Sequence, residues 1–139
     1  MRRLSRLTLL LLLSPLTLSA QGNYLIDWEE VGEESINHLI HLVKINTSNP
    51  PGNETEAAQY LQNALAAEDI PSDLYALDPK RANLVSRYKG NGSKRPILVM
   101  GHTDVVGVQA EKWTEDPFGG LRKDGWIYGV NRTLGDTRS

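Results

Sequence analysis

The first regular pattern along the chain is helical. Ile36, Leu39, Ile40 and Val43 recur at three- and four-residue steps and predict one apolar helix face. Glu33 and Glu34 lie just ahead and suit the positive end of a helix dipole, so the helix is expected to open at Glu33-Glu34-Ser35-Ile36. Asn46-Thr47-Ser48-Asn49-Pro50-Pro51-Gly52 stops it, because two prolines and a glycine punctuate the chain firmly. Asn53 with Glu56 three residues on resembles a capping box. The second helix it starts is predicted to run to about Ala67, with Ala57, Leu61, Ala64 and Leu65 inward.

After Pro71 the pattern changes to period two and to short apolar runs. Leu74 to Leu77 and Asn83 to Tyr88 are predicted strands on either side of the turn Asp78-Pro79-Lys80. Gly90-Asn91-Gly92-Ser93-Lys94 has the composition of a turn joining antiparallel strands. Ile97 to Met100 holds no polar residue and is expected to be the most buried strand. Trp126-Ile127-Tyr128, introduced by Lys123-Asp124-Gly125, is a further short strand. Helices followed by strands, with no internal repeat and no heptad, predict an α/β or α+β domain, not a bundle.

The amino terminus follows a different logic. Met1-Arg2-Arg3-Leu4-Ser5-Arg6 is basic, and Leu7 to Leu18 is apolar apart from Thr8, Ser14, Pro15 and Thr17. The small residues Ser19 and Ala20 then precede polar Gln21-Gly22-Asn23. That order predicts a secretory signal peptide over residues 1–20 and a secreted or periplasmic destination. The apolar stretch falls short of the roughly 20 residues a bilayer span needs, so a membrane enters only if the segment stays uncut. Arg2-Arg3 resembles a twin-arginine signal, but the residues after it fit general secretion better.

Losing Arg2, Arg3 and Arg6 leaves twelve basic residues against seventeen acidic ones, five net negative charges. Such a balance disfavours nucleic acid as a partner, since affinity for phosphates comes from clustered Lys and Arg. The absence of cysteine excludes disulfides and an acylated lipoprotein terminus. With one Phe, two Met and three Trp the apolar supply is modest, and the fold must rest on ordinary burial.

Candidate chemistry sits just past the predicted inner strand. His102 and Asp104 follow Gly101 at the place where open α/β sheets bind ligands. Imidazole is a zinc ligand, and a nearby carboxylate can accept its other ring proton and set the tautomer. A lone His-x-Asp has a plain alternative, in which Asp104 caps the next turn and His102 is partly exposed beside it.

Three longer stretches extend the pattern: Leu98-Val99-Met100-Gly101-His102-Thr103-Asp104-Val105-Val106, Trp113-Thr114-Glu115-Asp116-Pro117-Phe118 and Asp124-Gly125-Trp126-Ile127-Tyr128-Gly129. Their order and distances, over about residues 31–129, resemble the zinc-dependent exopeptidases and deacylases. That group includes acetylornithine deacetylase, succinyl-diaminopimelate desuccinylase, aminoacylase and the glutamate and Gly-Xaa carboxypeptidases. The resemblance implies an α/β fold, the N-terminal portion of a zinc-exopeptidase-like catalytic domain with a mixed sheet, incomplete and spanning residues 21–129. It implies a site for two Zn2+ ions, with His102 a metal ligand and Asp104 the catalytic carboxylate that orients its ring. It further implies a small peptide or N-acyl amino acid substrate, cleaved at an amide bond next to a free carboxylate.

Residues 130–139 depart from the family's pattern. Relatives place a bridging aspartate in a stretch reading roughly Gly-Arg-Gly-x-x-Asp-Asp-Lys after Tyr-Gly. Here ungapped counting puts Leu134 in that slot, and one inserted residue puts Gly135 there and Asp136 in the second acidic position. Asp136 is thus a candidate metal ligand, with a divergent, flexible tail as the alternative. The later glutamate pair, another acidic ligand and a distant histidine of the relatives have no counterpart, so the chain by itself is expected to be inactive, with at most weak zinc binding.

Other residues have competing uses. His38 and His41 have chelating i,i+3 spacing but also fit the edge of the core or solvent. Trp113 and Trp126 fit packing around the strands as readily as a substrate platform. Glu29, Glu30, Glu33 and Glu34 read as a solvated helix start. Asn46, Asn53, Asn91 and Asn131 each open an Asn-x-Ser/Thr triplet, a glycan site in a eukaryotic host. Three functional readings stand: part of an exported amide-cleaving zinc enzyme, a non-catalytic secreted domain or inactive truncated piece on that scaffold, and an unrelated α/β domain with a coincidental His-x-Asp.

Overall fold

A computed structural model describes residues 25–130. The proposed signal segment and Asp136 therefore lie outside the described residues. Among those described, no helix is long and apolar enough to cross a membrane.

Helix α1 spans Trp28–Lys44 and starts five residues earlier than the acidic pair suggests. Its start is set by Asp27, whose Oδ1 accepts from the N–H groups of Glu29 at 3.0 Å and Glu30 at 3.1 Å. Two donors that the helix leaves unpaired are thereby satisfied. The helix ends in Ile45, whose extended backbone leads into strand β1, Ser48–Asn49. Helix α2, Glu54–Ala67, matches its predicted bounds. Asn53 makes no side-chain bond to the helix backbone, and its Nδ2 donates instead to Glu56 Oε2 at 2.7 Å. At the far end Asp69 adopts φ 56°, and Ile70 N–H donates to Leu65 O at 2.9 Å. That closes a Schellman turn with Asp where glycine is usual.

Strands β2, Ser72–Tyr75, and β3, Asn83–Ser86, pair antiparallel with Leu74 opposite Leu84, and α2 packs on both. Strand β4, Val105–Val106, runs parallel to β1. Strands β5, Leu121–Lys123, and β6, Trp126–Tyr128, form a hairpin closed by Asp124 and Gly125 at φ 52° and 81°. Consecutive positive φ values match the twist of a two-residue hairpin, and an Asp-Gly pair tolerates them. The described chain is thus an α/β domain with parallel and antiparallel pairs in three open two-stranded sheets.

The core is small and lies where the end of α1, the entry to β1 and the first turn of α2 meet. Val43, Ile45, Ala57, Ala58, Ala82 and Val130 are buried there with Thr47 and Glu54. Val130, counted with the tail in the sequence, packs into this core and donates its N–H to Pro117 O at 2.8 Å.

Two expectations are overturned. Ile97–Met100 is not a buried strand: it has no regular structure, and its residues are between 81% and 88% exposed. Nor does Gly90–Lys94 join two paired strands, since it leads from β3 into this irregular run. Apolar character drives burial only where a second surface is present, and a strand exists only where a neighbour accepts its backbone bonds. Neither is offered to Ile97–Met100 among the described residues. His102 and Asp104 accordingly sit just before the short strand β4, not at the end of a long one.

Candidate functional site

β1 positions the His102–Asp104 loop. Ser48 and Asn49 pair with Val105 and Val106, and Val105 N–H donates to Thr47 O at 3.2 Å. Thr47 is only 3% exposed, and its Oγ1 donates to Thr103 O at 2.6 Å. Asn49 adds a bond from Nδ2 to Asp104 Oδ2 at 3.3 Å. The loop is thus stitched on one side to the segment after α1, although the run before it is free of partner strands.

Within the loop the His102 ring turns back on Asp104. Its Nδ1 lies 2.9 Å from Asp104 O and 3.0 Å from Asp104 Oδ1. A carbonyl and an ionised carboxylate only accept, so Nδ1 carries a proton, and in the neutral ring the Nε2 lone pair is then available. The His102 side chain is 78% exposed, and Asp104 is 39% exposed. The Asn49 amide, then the His102 ring, hold the Asp104 carboxyl below its usual value, and desolvation opposes them. Asp104 is therefore anionic at neutral pH, the state that fixes this tautomer.

The pair borders a cavity of about 470 Å³ whose far wall is a second polar unit. Glu54, 6% exposed, receives Arg81 in a fork, with Nε 3.2 Å from both carboxylate oxygens and Nη2 3.0 Å from Oε1. Glu54 raises the Arg81 pKa above its ordinary value, chiefly through these bonds, and Asp104 and Asp78 add weaker attraction. Gly52, at φ +86°, lets the chain pass this fork, because a Cβ there would stand 2.7 Å from Glu54 Oε2. Neither Glu54 nor Arg81 was a sequence candidate. The only signal was an acidic residue at the start of α2 and a basic one before β3, 27 positions apart.

The remaining candidates go elsewhere. His38 and His41 grip Tyr60 of α2: His38 Nδ1 is 2.7 Å from the Tyr60 hydroxyl, and His41 stacks on its ring at 3.8 Å. Trp113 and Trp126 are 39% and 38% exposed. Among the described residues, no group of three or more His, Cys, Asp or Glu is placed to hold a metal ion. In donor chemistry His102 and Asp104 fit one metal ligand and the carboxylate behind it, not a closed coordination sphere.

The described residues thus give an α/β frame that presents an imidazole backed by a carboxylate at a cavity edge. No protein-family model matches the chain. Over 103 residues, 73% of the chain, it is 37% identical to probable succinyl-diaminopimelate desuccinylases of Staphylococcus epidermidis and Staphylococcus aureus. A shorter stretch of 52 residues, 37% of the chain, is 48% identical to a succinyl-diaminopimelate desuccinylase of Cereibacter sphaeroides and covers 14% of it. The chain's match spans 24% of the length of the staphylococcal relatives. This homology supports membership in a zinc-dependent amidohydrolase and peptidase family.

Proposed function

We propose that the chain carries one metal ligand, and the carboxylate behind it, of an exported zinc-dependent amidohydrolase. The whole protein would hydrolyse a peptide or N-acyl amide bond next to a free carboxylate. The bond from His102 Nδ1 to Asp104 carries this reading, because it leaves Nε2 ready for a cation at the edge of a cavity. His102 is the ligand, Asp104 holds the tautomer and anion charge behind it, and Asp136 is a candidate for a further ligand. Bound zinc supplies Lewis-acid activation of water for attack on an amide. An N-succinyl amino acid of the kind named by the relatives is the first substrate to try, with N-acyl amino acids and dipeptides beside it. Export rests on the order of residues 1–20, and the N-terminal mass of material recovered outside the producing cell tests it: a chain still carrying Met1 rejects cleavage after Ala20.

A second reading has an observation of its own. No group of three or more His, Cys, Asp or Glu among the described residues is placed to hold a metal ion, as a non-catalytic domain on this scaffold would have it. Zinc titration followed by imidazole NMR, with a parallel hydrolysis assay, separates the two. His102 resonances should move before those of His38 and His41, the movement should vanish in His102→Ala, and no turnover should appear. Stoichiometric tight zinc with turnover would refute the scaffold reading, and zinc response unaffected by His102→Ala would refute the ligand assignment.

A further inference from the structure

We propose that Asn91 is a self-modifying site: without an enzyme it converts to aspartate and isoaspartate, through attack by the backbone nitrogen of Gly92 on its side-chain amide. Asn91 is the one asparagine of the chain followed by glycine, and it lies in the exposed stretch between β3 and the Ile97–Met100 run.

The reaction is a ring closure. The Gly92 nitrogen gives its proton to hydroxide and bonds to Cγ of Asn91. The bond from Cγ to Nδ2 then breaks, the nitrogen takes a proton from water, and ammonia leaves. A five-membered imide remains, and water adds to either of its two carbonyls. Opening regenerates the main chain as aspartate, or routes it through the side chain as isoaspartate. Water is consumed, ammonia is released, and nothing is oxidised or reduced.

Two features of the loop favour closure. Around Gly92 there is open space, since even a Cβ added there would meet nothing within 4 Å, and glycine brings no side chain to crowd its own nitrogen. Ser93 N–H donates to Asn91 Oδ1 at 2.9 Å. That oxygen takes up negative charge as the ring forms, so a donor already aimed at it stabilises the transition state.

Among the described residues the other asparagines lack one condition or the other. Asn46 has the same polarising bond, from Ser48 N–H at 3.0 Å, but its next residue is the buried Thr47, anchored to Thr103. Asn49 precedes proline, whose nitrogen has no proton to lose. Asn37 and Asn63 are held in helices, Asn83 is held in the β2–β3 ladder, and the Asn53 amide is engaged by Glu56. The conversion adds a negative charge beside Lys89, Lys94 and Arg95. Its isoaspartate form also lengthens the backbone ahead of the run that leads to His102.

The test is timed incubation of the whole chain from mildly acidic to mildly alkaline pH, followed by trypsin and mass analysis of the peptide Gly90–Lys94. The peptide should gain the mass of an amide-to-acid change and split into aspartate and isoaspartate forms. Its rate should rise with pH, ahead of every other asparagine, and should not increase when the chain is unfolded in urea. Gly92→Ala should slow it on the order of tenfold, and Asn91→Gln should abolish it. A single aspartate product, a rate unchanged by Gly92→Ala, or faster conversion in urea would each overturn the proposal.

Discussion

Thr47 has one short side chain and two tasks. Its backbone carbonyl receives Val105 N–H, and its hydroxyl reaches the carbonyl of Thr103, in the middle of the His102–Asp104 loop. The bonded hydroxyl of a residue only 3% exposed is worth more than its size suggests, because removing it strands the partly buried carbonyl of Thr103. Thr47→Val keeps the shape and deletes the bond. It should lower the free energy of urea unfolding by about 1–2 kcal/mol and loosen the loop, seen as faster amide exchange at Val105. Unchanged exchange would show that β1 holds the loop through backbone pairing alone. His102 and Asp104 were legible as a pair because both lie within three residues of sequence. The amide that most lowers the Asp104 pKa belongs to Asn49, 55 positions away, and no local pattern announces such a partner.

At the scale of elements, the hairpin β5–β6 and helix α1 are joined by an exposed fork. Arg122 Nη1 and Nη2 lie 2.6 and 2.8 Å from the two oxygens of Glu33. These bonds are the largest cause lowering the Glu33 pKa from its ordinary value. A carboxylate whose folded pKa is depressed stabilises the fold above its unfolded pKa, and that contribution is lost as pH falls through the folded value. Since both groups are exposed, the effect on stability should be small and screened by salt. The Glu33 carboxyl carbon should titrate below a free glutamate in NMR and return to the ordinary range in Arg122→Gln. A midpoint unmoved by that substitution would assign the depression to another source. The start of α2 was legible because Pro50, Pro51 and Gly52 stop the chain just before it, although Asn53 does not cap the helix backbone as expected. The start of α1 was not: Glu33 and Glu34 signal a helix end by charge, while Asp27 wins by direct bonds to two amides.

For the molecule as a whole, the defining feature is an apolar run left in solvent. Ile97, Leu98, Val99 and Met100 form no ladder, and Leu77, Val106 and Tyr88 are also largely exposed. Contiguous exposed apolar side chains promote association. Val99→Lys should therefore reduce light scattering of concentrated protein while changing unfolding free energy by no more than about 0.5 kcal/mol, as for other surface positions. A large loss of stability would mean that Val99 is buried in solution.

Local chemistry in the sequence determined helix α2 and the body of α1, a strand on each side of Asp78-Pro79-Lys80, the strand Trp126–Tyr128 and the neighbouring histidine and aspartate, while the first of those strands lies two residues earlier than expected, at Ser72–Tyr75. Each depends on residues a few positions apart, where periodicity, caps and turn residues act directly. Tertiary structure alone decided that Ile97–Met100 stays uncovered, that Thr47 and Asn49 hold the candidate site, and that Glu54 and Arg81 wall its cavity. Burial and partner bonds depend on which distant surfaces meet, and a one-dimensional pattern carries the propensity for contact without naming the partner.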